Sequence, residues 1–228
     1  MNGILDWFKD SAHWHGSSGV PTLLAQHTLL TFAAVLIAIA IGLPVAVWLG
    51  HLRRGGTLAV NISNVGRAIP IVALLSVLSL GYVGTANFGP FGRAGLATLI
   101  TLALFALPPI ITNAYTGVFE VDRDTVEAAR GMGMSEREIL TKVELPLAVP
   151  LIVSGIRLAV VQVWATATIA ALVAGPGLGQ LITEGYATYN QPEVLSGAII
   201  VGAVALLLEG TMAFLQRVVD PLARAARS

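Results

Sequence analysis

A chain of 228 residues that is 55% hydrophobic and 11% charged, with a mean hydropathy of +0.79, departs from the soluble norm of about 25% charged residues and reads as an integral membrane protein. Its length supplies several spans of about 20 residues but no sizeable soluble domain, so one membrane domain is expected. Basic and acidic residues balance at 13 each, which gives a nucleic-acid partner no electrostatic footprint, and the lack of cysteine excludes disulfides, thiol catalysis and iron–sulfur chemistry.

Residues 1–21 read as an external N-terminal segment. It mixes Asp6, Lys9 and Asp10 with aromatics, unlike a cleaved signal, and Ile4, Leu5, Trp7 and Phe8 suit a short amphipathic stretch at the lipid headgroups, anchored by Trp7 and Trp14. A transmembrane domain follows over 22–217, with five apolar spans at roughly 22–49, 58–83, 94–119, 147–173 and 194–215; residues 218–228 form a tail. Pro44, Pro70, Pro108 and Pro109 interrupt these spans, and the backbone bonds they remove must be made good by neighbouring helices. Ala165, Ala167, Ala170 and Ala171 let such neighbours approach closely. An all-α membrane protein of about five kinked, mutually packed transmembrane helices is expected.

Orientation follows from the loops. His51, Arg53 and Arg54 follow the first span, Arg123, Arg130, Arg137 and Lys142 the third, and Arg217, Arg224 and Arg227 the fifth. Lys9 and Arg93 stand on the other side, Arg67 and Arg157 lie inside spans, and the loop 174–193 has no basic residue. The positive-inside rule therefore puts the N-terminus outside, with the C-terminus and the loop 120–146 in the cytoplasm.

That loop concentrates the charge of the chain, with eleven Asp, Glu, Lys and Arg residues from Glu120 to Glu144. Asp124 followed by Glu127 resembles a capping box, 126–130 suits a helix, and Gly131 and Gly133 provide a stop. Ser135 with Glu138 opens a second short helix, and Pro146 marks the return to the membrane. Helices this brief need a partner surface to be stable. Ala128 and Ala129 leave the first one flat for close docking, and Glu127 offers a carboxylate for a partner or for tying the loop down. Composition alone favours a plainer reading, a solvated connector whose charges keep it in water.

Glu127, Ala128, Ala129, three residues, Gly133, nine residues, Val143, one residue, then Leu145 and Pro146 resembles the EAA motif of ABC importer permeases. The one departure is Val143 where isoleucine is usual. The resemblance implies a type I ABC importer permease fold and a coupling helix that sits in a groove of a separate ATP-binding subunit. On that basis Glu127, Ala128, Ala129 and Gly133 are expected as coupling residues, with Leu145 and Pro146 as the re-entry into the next span.

A finer resemblance runs from Leu24 to Leu215. The segments from Asn64 to Leu78, Gly155 to Val173 and Gly175 to Asn190 are similar to permeases for glycine betaine, carnitine, choline and proline betaine. Amino-acid importers share short pieces of them, so an amino acid or another small polar solute is the alternative cargo. A non-transport scaffold would explain the packing but not the EAA spacing. An intramembrane enzyme lacks support, since no paired Ser and His, paired Asp or metal-ligand spacing occurs in the spans. No Gly-x-x-x-x-Gly-Lys-Ser/Thr loop is present, so the chain carries no cofactor of its own and a partner subunit is expected to bind ATP and Mg. The resemblance further implies a second permease subunit, the same or related, a separate solute-binding protein, and a bacterial plasma (inner) membrane.

Polar groups inside spans are the candidates for a translocation path. These are Asn64, Asn113 and Arg157, joined by the aromatic residues Tyr115 and Trp164, and also Trp48, because a quaternary ammonium is held over aromatic faces. Arg157 serves a helix-to-helix pair equally well, and Arg67 and Glu209 suit snorkelling to an interface. His13, His15, His27 and His51 lack a partnering acidic cluster in the sequence and are expected to be interfacial or solvated, without a metal.

Overall fold

A computed structural model describes residues 2–56, 61, 66 and 68–219. Asn64 and Arg67 lie outside the described residues, as do Arg224, Arg227 and most of the tail expected over 218–228. Among the described residues the regular structure is helical throughout: α1 (Asn2–Lys9), a 3-10 turn (Ser11–Trp14), α2 (Val20–His51), α3 (Ile71–Leu80), α4 (Tyr82–Thr85), α5 (Gly95–Phe119), α6 (Arg123–Gly131), α7 (Glu136–Ile139), α8 (Leu145–Ala167), α9 (Gly179–Ala187) and α10 (Gln191–Val219).

Four helical stretches are long and apolar enough to cross a bilayer: Val20–His51, Gly95–Phe119, Glu136–Val173 and Gln191–Val219. They correspond to the first, third, fourth and fifth expected spans. The expected second span is represented by α3, whose 10 residues are apolar but short; much of its remainder falls outside the described residues.

α2, α5 and α8 form the core through small side chains. Ala34, Ala38, Ala106 and Ala159 are fully buried, and Ile110, Val160 and Val163 fill the space between them. Lipid offers no hydrophobic drive between helices, so association depends on how closely their backbones approach. Two glycines set that approach. A β-carbon on Gly50 of α2 would lie 3.0 Å from the Tyr115 carbonyl oxygen of α5, and one on Gly155 of α8 would lie 2.8 Å from the Pro109 carbonyl oxygen of α5.

α5 keeps both Pro108 and Pro109 inside its run. Asn113 Nδ2 donates to the Pro109 carbonyl at 2.8 Å, and the Thr98 and Thr101 hydroxyls donate to carbonyls four residues back, so these polar groups are satisfied inside an apolar helix. α10 is different. Its most apolar stretch has no buried residue, and Leu206, Leu207 and Phe214 are exposed.

The N-terminal segment departs from expectation. Trp7 is not a headgroup anchor, because it is buried with Val20, Leu23, Trp164, Leu178 and Leu181, while α1 packs on α10. Leu5 and Trp14 stay exposed, the Trp14 indole N–H donating to the Phe8 carbonyl. The expectation of solvated histidines also fails at two positions. His27 is fully buried in α2, and His51 is held by two carboxylates that lie far from it in the sequence.

Candidate functional site

The charged segment is built by caps at every junction. Asp122 opens α6, its Oδ1 accepting from the amides of Asp124 (2.7 Å) and Thr125 (3.0 Å). The cap thus lies two residues before the expected start at Asp124, since Asp122 has the non-helical backbone of a cap and a carboxylate that reaches forward to the free amides of the first turn. Gly133 closes the helix at φ +86. The Gly133 amide donates to the Arg130 carbonyl (3.0 Å) and the Met134 amide to the Ala129 carbonyl (3.2 Å), the bond pattern of a Schellman cap. Met134 packs beside Ala129 with Val121, Val126, Ile139 and Val143, a small apolar base that fixes α6 against the helical turns that follow it.

Ser135 and Glu138 form a full capping box for α7. The second short helix does not end, however. Leu140–Glu144 is a π-turn, with the Leu145 amide donating to the Leu140 carbonyl, and it carries the helix unbroken into α8. Pro146 therefore sits in the first turn of α8 rather than at a break, where its missing N–H is best tolerated because the pairing has already shifted. Val126 and Ala129 face inward, whereas Glu127, Ala128, Gly131 and Met132 form the outward face.

Ion pairs lace this surface. Arg123 Nε donates to Glu127 Oε1 at 3.1 Å, and Lys142 Nζ donates to Glu138 Oε1 at 2.8 Å. Arg130 clasps both oxygens of Glu136, at 2.8 and 3.0 Å. The hydrogen bond from Lys142, followed by those from Ser135, pulls the Glu138 carboxyl down to about 2, and the Arg130 clasp lowers Glu136 and raises Arg130. Besides the approach of His51 to Glu136, two hydrogen bonds tie the end of α2 to the segment. His51 Nδ1 lies 2.5 Å from Glu144 Oε2, and the Arg53 guanidinium donates to the Val121 carbonyl at 2.7 Å. His51 and Glu144 are 93 positions apart, and no local pattern announces them.

The structure does not gather the described path candidates. Asn113 is bonded to Pro109 and faces Gly155. Tyr115 is buried beside Ala46 and Ile111 and stacks on Phe119. Trp164 is fully buried between α2 and α10, donating to the Val201 carbonyl at 3.1 Å. Arg157 joins Glu209 and Gln216 of α10, a helix-to-helix pair that also accounts for Glu209. Trp48 alone points away from the bundle. A cavity of about 400 Å³ between α3 and α5 is lined by Ile71, Leu74, Thr101, Phe105 and Pro108, and none of these candidates reaches it. Among the described residues no cluster of His, Cys, Asp or Glu could hold a metal ion.

A bundle with four helical stretches of membrane-crossing length, bearing one capped and charged segment, defines a multi-pass membrane protein. A family model described as "Binding-protein-dependent transport system inner membrane component" matches residues 38–225, and the chain belongs to this family of transport permeases. It is 30% identical to the carnitine transport permease protein OpuCB of Listeria monocytogenes, over 98% of this chain and 96% of that one. It is 29% identical to the glycine betaine/carnitine/choline transport system permease protein OpuCB of Bacillus subtilis, over 86% of each chain. Its fold is that of a chain in the inward-facing MetNI methionine ABC transporter, with a TM-score of 0.74 at 23% identity over 88% of this chain and 96% of that one.

Proposed function

We propose that this chain is the membrane-spanning subunit of an ATP-driven importer for quaternary-amine osmoprotectants such as glycine betaine, carnitine, choline and proline betaine. The observation that carries the transport reading is α6 itself, capped at both ends and fixed by an apolar base, with Glu127, Ala128 and Met132 turned outward. A helix of 9 residues held so firmly while its outer face stays uncovered suits a groove on another protein. The substrate class is supported by the carnitine, glycine betaine and choline transport of the relatives above.

In this reading Glu127, Ala128, Ala129 and Gly133 form the coupling element, and Leu145 and Pro146 carry its movement into α8. ATP and Mg are bound by partner ATPase subunits beneath a cytoplasmic α6. Closure of those subunits shifts α6 and turns the spans from inward-open to outward-open, so that a solute-binding protein can discharge its cargo. Asn113, Tyr115, Arg157 and Trp164 are committed to contacts within one chain, so the path lies against a second permease subunit, which also covers part of the exposed apolar surface.

The test is a reconstituted complex with its ATPase and binding protein, assayed for ATP-dependent uptake of labelled glycine betaine, choline, carnitine, methionine and histidine. Uptake of the quaternary amines is expected. Uptake of an amino acid in their place overturns the substrate class, and no ATP-dependent uptake of any of the five overturns the transport reading.

A further inference from the structure

Where the end of α2 meets α7 and the π-turn that leads into α8, the His51 imidazole stands between two carboxylates. The side chains of His51 and Glu144 are 8% and 2% exposed, and they meet at 2.5 Å. A carboxylate so deeply buried is costly unless it is paired and hydrogen-bonded, and among the described residues its partner is the last residue of α2. Glu144 is also the final residue of the π-turn, where the helix changes from the capped α7 to the span α8.

The other ring nitrogen faces the opposite way. His51 Nε2 lies 3.6 Å from Glu136 Oε2, and Glu136 is the carboxylate that Arg130 of α6 clasps. A doubly protonated ring donates toward both carboxylates, whereas a neutral ring donates toward one only. The remaining charged groups around the ring are Arg53 from the end of α2 and Arg123 and Glu127 from α6, which line a cleft of about 210 Å³ with His51 and Glu144.

We propose that His51 is a positioning residue of the transport cycle: its contacts with Glu144 and Glu136 form the joint through which displacement of α6 reaches the first span. The proposal rests on the coupling role given to α6 above. Movement of α6 pulls Arg130 and Glu136, Glu136 and Glu144 share the His51 ring, and His51 ends the 32-residue α2. Because α2 runs through the core beside α5 and α8, a shift at His51 is delivered to the centre of the bundle. Without the ring, α6 moves while α2 stays behind.

The experiment uses the intact complex carrying wild-type His51, His51→Ala or His51→Lys, with glycine betaine as cargo and its binding protein present. Subunit co-purification, basal ATPase and solute transported per ATP are measured for each. His51→Ala is expected to assemble and hydrolyse ATP normally while solute per ATP falls roughly tenfold, within the usual range of coupling effects. His51→Lys, with a cation and donors for both carboxylates, should restore most of it. Rescue by a donor-bearing cation, at unchanged assembly and ATPase, is a difference that a purely structural role does not produce. Wild-type coupling in His51→Ala overturns the joint. If His51→Ala fails to assemble, His51→Phe, which keeps the bulk of a ring without its donors, is measured in its place, and wild-type solute per ATP in His51→Phe overturns the joint. A wild-type complex without ATP-driven uptake of any cargo defeats the coupling reading itself, which is a distinct result.

Discussion

His27 on α2 and Trp164 on α8 hold each other in the interior of the bundle: the His27 Nε2 lies 3.0 Å from the Trp164 carbonyl oxygen, and their rings are 4.3 Å apart. The Trp164 indole N–H reaches on to the Val201 carbonyl of α10, so one tryptophan joins three spans. Gly177, in the glycine-rich turn before α9, rests on the His27 ring, where a β-carbon would be 3.0 Å from Nδ1.

Removing that tryptophan should therefore be costly. Trp164→Ala is expected to destabilise the protein by about 3–5 kcal/mol, the usual cost of deleting a buried indole, and Trp164→Phe by about 1 kcal/mol for the lost hydrogen bond plus a smaller cavity. Thermal unfolding of the purified protein in detergent checks the order; equal midpoints for the two variants contradict it.

Gly155 and Gly210 make a matched pair of tests. A β-carbon on Gly155 meets Asn113 Cβ at 2.7 Å, whereas one on Gly210 has nothing within 4 Å. Gly155→Ala should cost about 1–3 kcal/mol through overpacking. Gly210→Ala, at an uncrowded helical position, should be neutral or stabilising by about 0.5–1 kcal/mol. The same thermal unfolding measurement distinguishes them.

Glu138 gives a pH dependence with a definite sign. Its folded value of about 2 lies below that of an unfolded glutamate, about 4.3. The contribution of its pairing with Lys142 and Ser135 is thus complete above the unfolded value and is lost as pH falls through the folded one. Amide-exchange protection of residues 136–139, corrected for intrinsic rates, should fall over that acid window. Glu138→Gln should show reduced protection at neutral pH and no further acid step.

The Arg157–Glu209 pair should behave as a coupled unit. Its side chains are 32% and 40% exposed, so the interaction is screened, and a double-mutant cycle should give a coupling near the average of about 0.6 kcal/mol found for inter-helix polar pairs in membranes. Arg157→Met alone should lower the unfolding midpoint more than Arg157→Met combined with Glu209→Met, because the single change leaves a carboxylate unpaired. Additive effects contradict the pairing.

Much of the charged segment was legible because caps are local. Ser135 and Glu138 form their box within one turn, and Gly133 adopts the left-handed conformation that lets the chain stop α6. The α6 start was misplaced by two residues because Asp122 and Asp124 are both competent caps, and backbone direction chose between them. The continuity of α7 into α8 was hidden, since a proline reads as a break until a π-turn has absorbed its missing bond.

By itself the sequence determined the solvent, the approximate limits of the described spans, the capped helix that carries Glu127 and Ala128, and through the EAA spacing the family; it expected Ala129 on the docking face as well, whereas the structure buries Ala129 beside Val126. These depend on composition and on contacts within a turn or two. Only the tertiary structure decided that Glu144 is met by His51, that Arg157 is met by Glu209, and that Trp7 and His27 are interior. The physical reason is that lipid and protein interior are both apolar, so hydrophobic patterning does not separate a helix face that meets protein from one that meets the membrane; close backbone approach at Gly50 and Gly155 and the matching of distant polar groups do.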